Sequence, residues 1–493
     1  MSPTFVTVIG LEVHVQLATR SKLFCRCSTR FGASPNTQTC PVCIGMPGVL
    51  PVMNGEAFHL ALRTAVALNC SIPEFTKWDR KQYYYPDLPK GYQISQYDLP
   101  MSENGYLEIS DPKERFETKR VGVRRAHLEE DAGKSMHDDA QGTAESRIDL
   151  NRTGTPLLEI VSEPDMRSAL EAKTFLTELK LLLTYLGVSD CNMQEGSLRV
   201  DANVNIHVTT GRDVAATPIV EVKNMNSFRA VERALAFEAG RQFEHWRQTG
   251  QRLGDVPKQT RGWDDASGVT RPQRHKEESS DYRYFPDPDL VPVKVPPDRV
   301  ERVRSELGEL PAALRQRLVQ HYGLSSYDSD VLVNQGRPLA TYFQQVADRC
   351  GDGKLASNWI QQDVLRRLNA EGVSIHTLAL RPEDLAELLR RVKAGDVDTT
   401  RGREVLDAMI AQRWSVDEAF SELGIESLDE QQLVALCREL VDANPKIVED
   451  VRSGKIKAAG ALIGQARQRS PNANPSRVRQ ICLALITGDA SLP

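Results

Sequence analysis

The sequence predicts an α+β protein: an N-terminal cradle domain on an open mixed or antiparallel sheet, followed by an all-α helical domain and a helical tail. Three observations carry that prediction. Apolar–polar alternation, the mark of a half-buried strand, recurs up to about residue 290, most plainly in FVTVIGLEVHVQL (5–17), SLRVDANVNIHV (197–208) and PIVEVKN (218–224). Next, five prolines fall between Phe285 and Pro297, where neither a helix nor a central strand can continue. Beyond Arg299 the apolar spacing turns helical, and PAALRQRLVQHYG, PLATYFQQVADRCG and RPEDLAELLRRVKAG each end at a glycine. A chain of 493 residues exceeds one simple core. The expected domains are 1–292, 293–398 and 399–493.

The elements follow in order. In the first strand Leu11, Val13, Val15 and Leu17 alternate with Glu12, His14 and Gln16. Successive strand side chains point to opposite faces, so Glu12 and His14 emerge together on one of them. The helical pattern from Ser168 to Leu186 starts on a capping serine and stops at Gly187, and a second runs from Ala230 to Gln248. In the strand around 198–207, Leu198, Val200, Ala202, Val204 and Ile206 share one face, while Arg199, Asp201, Asn203, Asn205 and His207 share the other. A short echo links DRKQYYYPDLP (79–89) to DYRYFPDPDL (281–290).

A net charge of −5 with 26% charged residues excludes nucleic-acid binding by gross charge, so RNA contacts must come from local patches. No apolar run reaches membrane-spanning length, and residues 1–20 lack the layout of a signal peptide. Nine cysteines without an export signal point to a reducing compartment, and the expected location is the cytoplasm.

Four of those cysteines, Cys25, Cys27, Cys40 and Cys43, form C-x-C-x12-C-x2-C. Two close pairs can give four thiolates to a tetrahedral zinc ion with no open position, hence a structural site; the plainer reading is four unrelated buried thiols. Glu129, Glu130 and Asp131 precede Gly133 in HLEEDAGKS. A phosphate-binding P-loop needs a glycine where Leu128 stands. The acids suit Mg²⁺, which takes oxygen donors and bridges to phosphates, or else form an exposed acidic turn. Glu159 lies inside Leu157, Leu158, Ile160 and Val161, a costly place for an unpartnered carboxylate. Together these polar strand faces suit an ATP–Mg²⁺ site, with Arg199, Lys223 and Arg229 as candidate phosphate partners. No complete Walker loop, dinucleotide fingerprint or amidase nucleophile motif is present. Such a chain can activate a carboxylate with ATP but cannot itself release ammonia from glutamine.

GLEVHVQL, PVCIGMPGVLPVMN, DRKQYYYPDLPKGYQISQYD, HLEEDAGK, NRTGTPLLEIVSEPDM, EGSLRVDANV, VEVKNMNSFRAVERAL and DYRYFPDPDL stand in this order along the chain. In them, and in its GKIKAAGALIGQA…NANP end, the chain resembles the B-subunit family of aspartyl/glutamyl-tRNA amidotransferases over essentially its whole length. The resemblance implies a glutamine-synthetase-like cradle. It also implies ATP-dependent phosphorylation of the side-chain carboxylate of Glu-tRNA(Gln) or Asp-tRNA(Asn), followed by amidation. The ammonia would come from a partner amidase, the A subunit of the same complex, with a small C subunit clasping the two. It further implies that Glu12, His14 and Glu129 hold Mg²⁺, with Glu159, Glu195 and Asp201 as further ligands, and that Lys81 and Lys90 lie along the ammonia path. In the tail, Lys455, Lys457 and Arg467, within a basic set that includes Lys446, Arg469, Arg477 and Arg479, would meet tRNA phosphates. A non-catalytic zinc- and tRNA-binding scaffold is the alternative reading, and a free-standing ATP-dependent ligase acting on a small carboxylate is a second.

Overall fold

The computed structural model describes residues 3–137, 146–273, 282–425, 430–470 and 473–487. It divides into two compact units, Met1–Pro311 and Ala312–Pro493.

In the first unit the strands are β1 (Thr4–Gln16), β2 (Phe75–Thr76), β3 (Asp79–Gln82), β4 (Tyr92–Ser95), β5 (Glu103–Ile109), β6 (Lys119–Glu130), β7 (Lys134–His137) and β8 (Ser146–Asp149). They continue with β9 (Pro156–Ser162), β10 (Leu198–Thr210), β11 (Asp213–Ala216), β12 (Val220–Lys223), β13 (Gln259–Asp264), β14 (Val269–Pro272), β15 (Phe285–Pro286) and β16 (Val293–Lys294). The helices are α1 (Pro41–Ile44), α2 (Gly55–Ala67), α3 (Ala169–Tyr185), α4 (Phe228–Thr249) and α5 (Pro297–Glu306). The main sheet is open and mixed, in the order β14-β13-β12-β10-β1-β9-β6-β5 with β11 beside β10. Its described pairs are antiparallel except β12 with β13.

One face of this sheet is apolar because the alternation puts Ile9, Leu11, Val13 and Val15 of β1, and Leu198, Val200, Ala202 and Val204 of β10, on the same side. Phe58, Phe175, Leu179, Val231 and Leu235 from α2, α3 and α4 complete that core. The helix boundaries follow their caps: Ser168 accepts from the Glu171 N–H, and Ser227 accepts from the Ala230 N–H. The opposite face is left to polar side chains.

Strand β6 changes its facing partway. Val121 and Val123 are buried in the core, yet so are Ala126 and Leu128, an odd-to-even switch. The register against β9 shifts between Val123 and Arg125, a bulge that inserts one residue. Without it, His127 and Glu129 would enter the apolar core. With it they cross to the polar face.

The proline-rich run is a packed edge rather than a linker. Phe285 and Pro286 pair with Arg80 and Asp79, Val293 and Lys294 pair with Thr76 and Phe75, and Val295 is buried. Prolines are tolerated there because edge strands leave ladder positions that need no N–H. Helix α5 packs on α2, so this unit extends to Pro311, past residue 292. The two echoing segments meet in this edge, where Phe285 and Pro286 of one pair with Arg80 and Asp79 of the other.

The second unit is helical, with a buried cluster in its tail formed by Leu433, Leu440, Leu462, Ala466, Val478 and Ile481. No helix among the described residues is long and apolar enough to cross a membrane.

Candidate active site and metal centre

The polar face of the main sheet gathers ionisable groups through strand register. His14 lies opposite Arg199 on β10 and opposite Glu159 on β9, and Glu159 in turn lies opposite His127 on β6. Directly opposed side chains lie close together on the same face, so four adjacent strands deliver their groups to one region. His14 Nε2 is 3.5 Å from Glu129 Oε1 and 3.7 Å from Glu159 Oε2. His127 Nε2 is 3.3 Å from Glu159 Oε2, and its buried Nδ1 has no hydrogen-bond partner. Burial works against charge on Glu159, but His127 and His14 beside it hold its carboxyl well below the ordinary range.

Carboxylate oxygens of Glu129 and Glu159 and a ring nitrogen of His14 lie within 4.8 Å of one another. Two carboxylates and one imidazole converging there suit a hard or borderline divalent cation, with waters completing its shell.

Around this centre the face remains charged and paired. Asp131 is buried between Arg152 Nη2 at 2.6 Å and Arg199 Nη2 at 2.8 Å. Burial alone would raise its carboxyl; Arg199 and Arg152 more than offset this and hold it below the usual value. One residue pair further along β1, Glu12 accepts from Asn203 Nδ2 at 2.8 Å and lies opposite Asp201. Lys223 bonds Asp201 at 2.6 Å and lies 3.5 Å from Glu221.

An aromatic wall borders the acids. Tyr97 and Tyr284 are stacked with centroids 4.1 Å apart, and Lys81 Nζ lies 4.8 Å from the Tyr282 ring centre. Burial first, and Glu129 second, push the Tyr83 and Tyr284 hydroxyls up, so both stay protonated donors.

The expected residues therefore fall into distinct places. His14, Glu129 and Glu159 converge; Glu12, Asp201, Arg199 and Lys223 line the same face beside them. Glu195 is exposed on the turn before β10, and Arg229 is exposed on the first turn of α4. Lys81 and Lys90 are held differently: Lys81 lies opposite Gln93 on β3 and β4, whereas Lys90, on the connection between them, ion-pairs with Glu130 at the end of β6. Lys455 and Lys457 are exposed in the tail, Lys455 beside Asp450 at 3.0 Å. The side chain of Arg467 lies outside the described residues. Sequence reasoning missed His127 and Arg152 as members of the site, and it took Asp131 for a metal-suited acid where the structure pairs it with Arg152 and Arg199. The signal for His127 was present in the switch from Val121/Val123 to Ala126/Leu128, which reports the bulge.

The four cysteines form a separate centre. Ser21 and Ser28 bridge to fold the first pair into a tight loop, and α1 with Gly45 in the left-handed conformation presents the second. The four sulfurs lie within 4.8 Å of one another, against the ~3.8 Å that tetrahedral Zn–S bonds of ~2.3 Å require. Lys22 is fully buried with its ammonium 3.6 Å from Cys43 Sγ. A buried cation needs anionic company, which a cysteine thiolate supplies, free or metal-bound. Bonds from Cys25 and the Cys40 N–H, with Lys22 nearby, pull the Cys43 thiol down to about 4. The residues fit zinc.

Comparison with known proteins gives the family. A family described as the GatB/GatE catalytic domain matches residues 7–301, and one described as the GatB domain matches 341–486. The chain is 56% identical over 480 residues to the B subunit of the aspartyl/glutamyl-tRNA(Asn/Gln) amidotransferase of Rhodopirellula baltica, covering 97% of this chain and 96% of the relative. It is 48% identical to the protein of the same name from Moorella thermoacetica and 44% identical to that from Carboxydothermus hydrogenoformans, each covering 97% of this chain and 98% of the relative. With two family matches and near-complete coverage at this identity, the chain belongs to the GatB/GatE family of amidotransferase B subunits.

Proposed function

We propose that this chain is the activating and amidating component of a tRNA-dependent amidotransferase. ATP phosphorylates the side-chain carboxylate of glutamate on tRNA(Gln), of aspartate on tRNA(Asn), or of both. Ammonia then displaces the phosphate to give the amide. The single observation that carries this reading is the convergence of His14, Glu129 and Glu159 on a sheet face shared with Arg199 and Lys223, in a chain of this family. His14, Glu129 and Glu159 would hold Mg²⁺, which would neutralise charge on the transferred phosphoryl group. Arg199 and Lys223, already fixed by Asp131 and Asp201, would meet phosphate oxygens without having to be ordered first. The paired Glu12 and Asp201 offer oxygen donors for a second cation beside the first; Glu195 and Arg229, both exposed, have no part in this reading. The protonated Tyr284 would be a donor to a bound carboxylate, while the Tyr83 hydroxyl already donates to Gln93 Oε1 at 3.2 Å.

Ammonia must come from elsewhere, since the sequence carries no amidase nucleophile motif. A partner amidase (the A subunit), clasped by a small C subunit, would supply it past Lys81 and Lys90. Lys455, Lys457 and Arg467 would hold tRNA phosphates.

The test is ATP hydrolysis by the chain with its co-purifying partners, given Glu-tRNA(Gln), uncharged tRNA and ammonium. The expected result is hydrolysis that requires the aminoacyl group and yields Gln-tRNA(Gln). Tight tRNA binding without aminoacyl-dependent hydrolysis would overturn the reading in favour of a tRNA-binding scaffold.

A further inference from the structure

Lys90 and Glu130 form a buried ion pair, with side chains 6% and 4% exposed, which the acid face does not explain. Glu130 follows Glu129 on β6, so the two carboxylates point to opposite sides of the strand. Glu129 enters the His14 cluster. Glu130 turns back, accepting from Lys90 and from the Ile94 N–H at 3.0 Å.

Lys90 itself stands on the connection between β3 and β4, outside any strand. What encloses it is the cysteine loop. Gly45, with φ of +75°, lies flat against its stem: a Cβ there would overlap Lys90 Cγ and come within 3.1 Å of its Cα. The acid is reached by the same loop through a second glycine. A Cβ at Gly154, φ +80°, would lie 3.4 Å from Cys43 Cβ and 3.5 Å from Glu130 Oε1. Cys25, Cys43, Lys90, Tyr92 and Glu130 line one small cavity.

From this geometry we propose that the cysteine loop, closed on its metal, is the mount of the Lys90–Glu130 pair. The metal then acts on the reaction through the position of Lys90 and the end of β6, with no contact to substrate. Gly45 is a positioning residue, because only a residue without Cβ lets the loop touch the lysine stem. The consequence for amidation rests on the reading of Lys90 as part of the ammonia route; the mount itself does not.

The experiment is per-lysine labelling of the whole complex with an amine-acylating reagent, read by mass spectrometry. Three samples are compared: zinc-loaded, chelator-stripped, and Gly45→Ala with zinc content measured. Lys119, paired with Glu171 at the far end of β6, is the internal reference for unfolding. Lys90 labelling is expected to rise about tenfold in the stripped and Gly45→Ala samples while Lys119 keeps its rate. Native-level Lys90 labelling after verified zinc loss, or in Gly45→Ala that retains zinc, overturns the mount. If stripping raises Lys119 as well, the Gly45→Ala sample alone decides. The ratio of glutamine-driven to ammonium-driven amidation should fall in Gly45→Ala, as it should in Lys90→Met. A ratio unmoved by Lys90→Met would sink the ammonia-route reading and leave the mount standing on its labelling.

Discussion

The first unit holds two groups able to bind a metal, and they are built in opposite ways. The cysteine centre draws four soft donors from nineteen consecutive residues and closes on itself. The acid centre draws three donors from three strands, from His14 to Glu159, and leaves its remaining positions to solvent and substrate. A local, saturated site is suited to holding structure, and a distributed, open one to chemistry. The sharpest way to break that comparison is to remove one donor from each and ask whether the losses stay separate. Glu129→Gln should lower aminoacyl-dependent ATP hydrolysis by about 10²–10³-fold, the scale of losing one preorganised electrostatic group. Its zinc content should remain native. A variant that loses zinc as well, or keeps its turnover, would show that the two centres are not divided as the geometry implies.

Asp131 tests what supports the open site. It is buried between two guanidinium groups, and removing its charge leaves both without their acid. Because the two guanidinium groups keep partial access to water, Asp131→Asn should cost about 1.5–3 kcal/mol in urea denaturation at pH 7. The sign with pH follows from its lowered carboxyl. That contribution is present in full above the unfolded-state value of about 3.9 and is lost as pH falls through the lower folded value. The gap between native and variant should therefore hold from pH 7 to pH 5 and close only in stronger acid. A gap that closes above pH 5 would show that the Arg152–Asp131–Arg199 bridge is not what holds this corner.

Lys22→Met applies the same question to the closed site. The ammonium touches a ligand rather than the metal, so the loss should resemble that of other outer-shell partners, about 10–100-fold in zinc affinity measured against a chelator. Lys22→Arg should recover part of it. Equal affinity in Lys22→Met would mean that the buried charge is balanced elsewhere.

The contrast also explains what could be read from the residues alone. C-x-C-x12-C-x2-C is visible because its ligands are neighbours in sequence, and Glu12 with His14 is visible because a strand repeats every two residues. The capping serines 168 and 227 mark α3 and α4 for the same local reason. His127 was not legible as a site member, because its facing depends on one inserted residue between Val123 and Arg125, and Arg152, on the turn before β9, shows its role only by its contact with Asp131. A slip of one residue moves every following side chain to the other face, and its only trace in the residues is the change from odd to even apolar positions between Val123 and Ala126. The proline run was legible only in part, for the same reason. Composition shows that it cannot be central strand; only pairing with Arg80 and Thr76 shows that it is edge strand.

The tail gives the smallest expected effect, and it extends the comparison from metals to phosphates. Lys455 and Lys457 are both exposed, but Lys455 lies 3.0 Å from Asp450, whereas Lys457 has no partner among the described residues. An exposed pair of this kind is weak, yet a tRNA phosphate must still compete with it. Charge reversal at Lys457 should therefore weaken tRNA binding more than reversal at Lys455, with about a tenfold loss for the double variant at low salt. Each lysine that meets a phosphate releases counterions, so the double variant should also flatten the dependence of log affinity on log salt, by up to ~2 in slope. Unchanged affinity together with an unchanged slope would make these lysines ordinary solvated charge. An affinity loss without a change of slope would point to a disturbed tail core around Leu462 and Val478 rather than to phosphate contact.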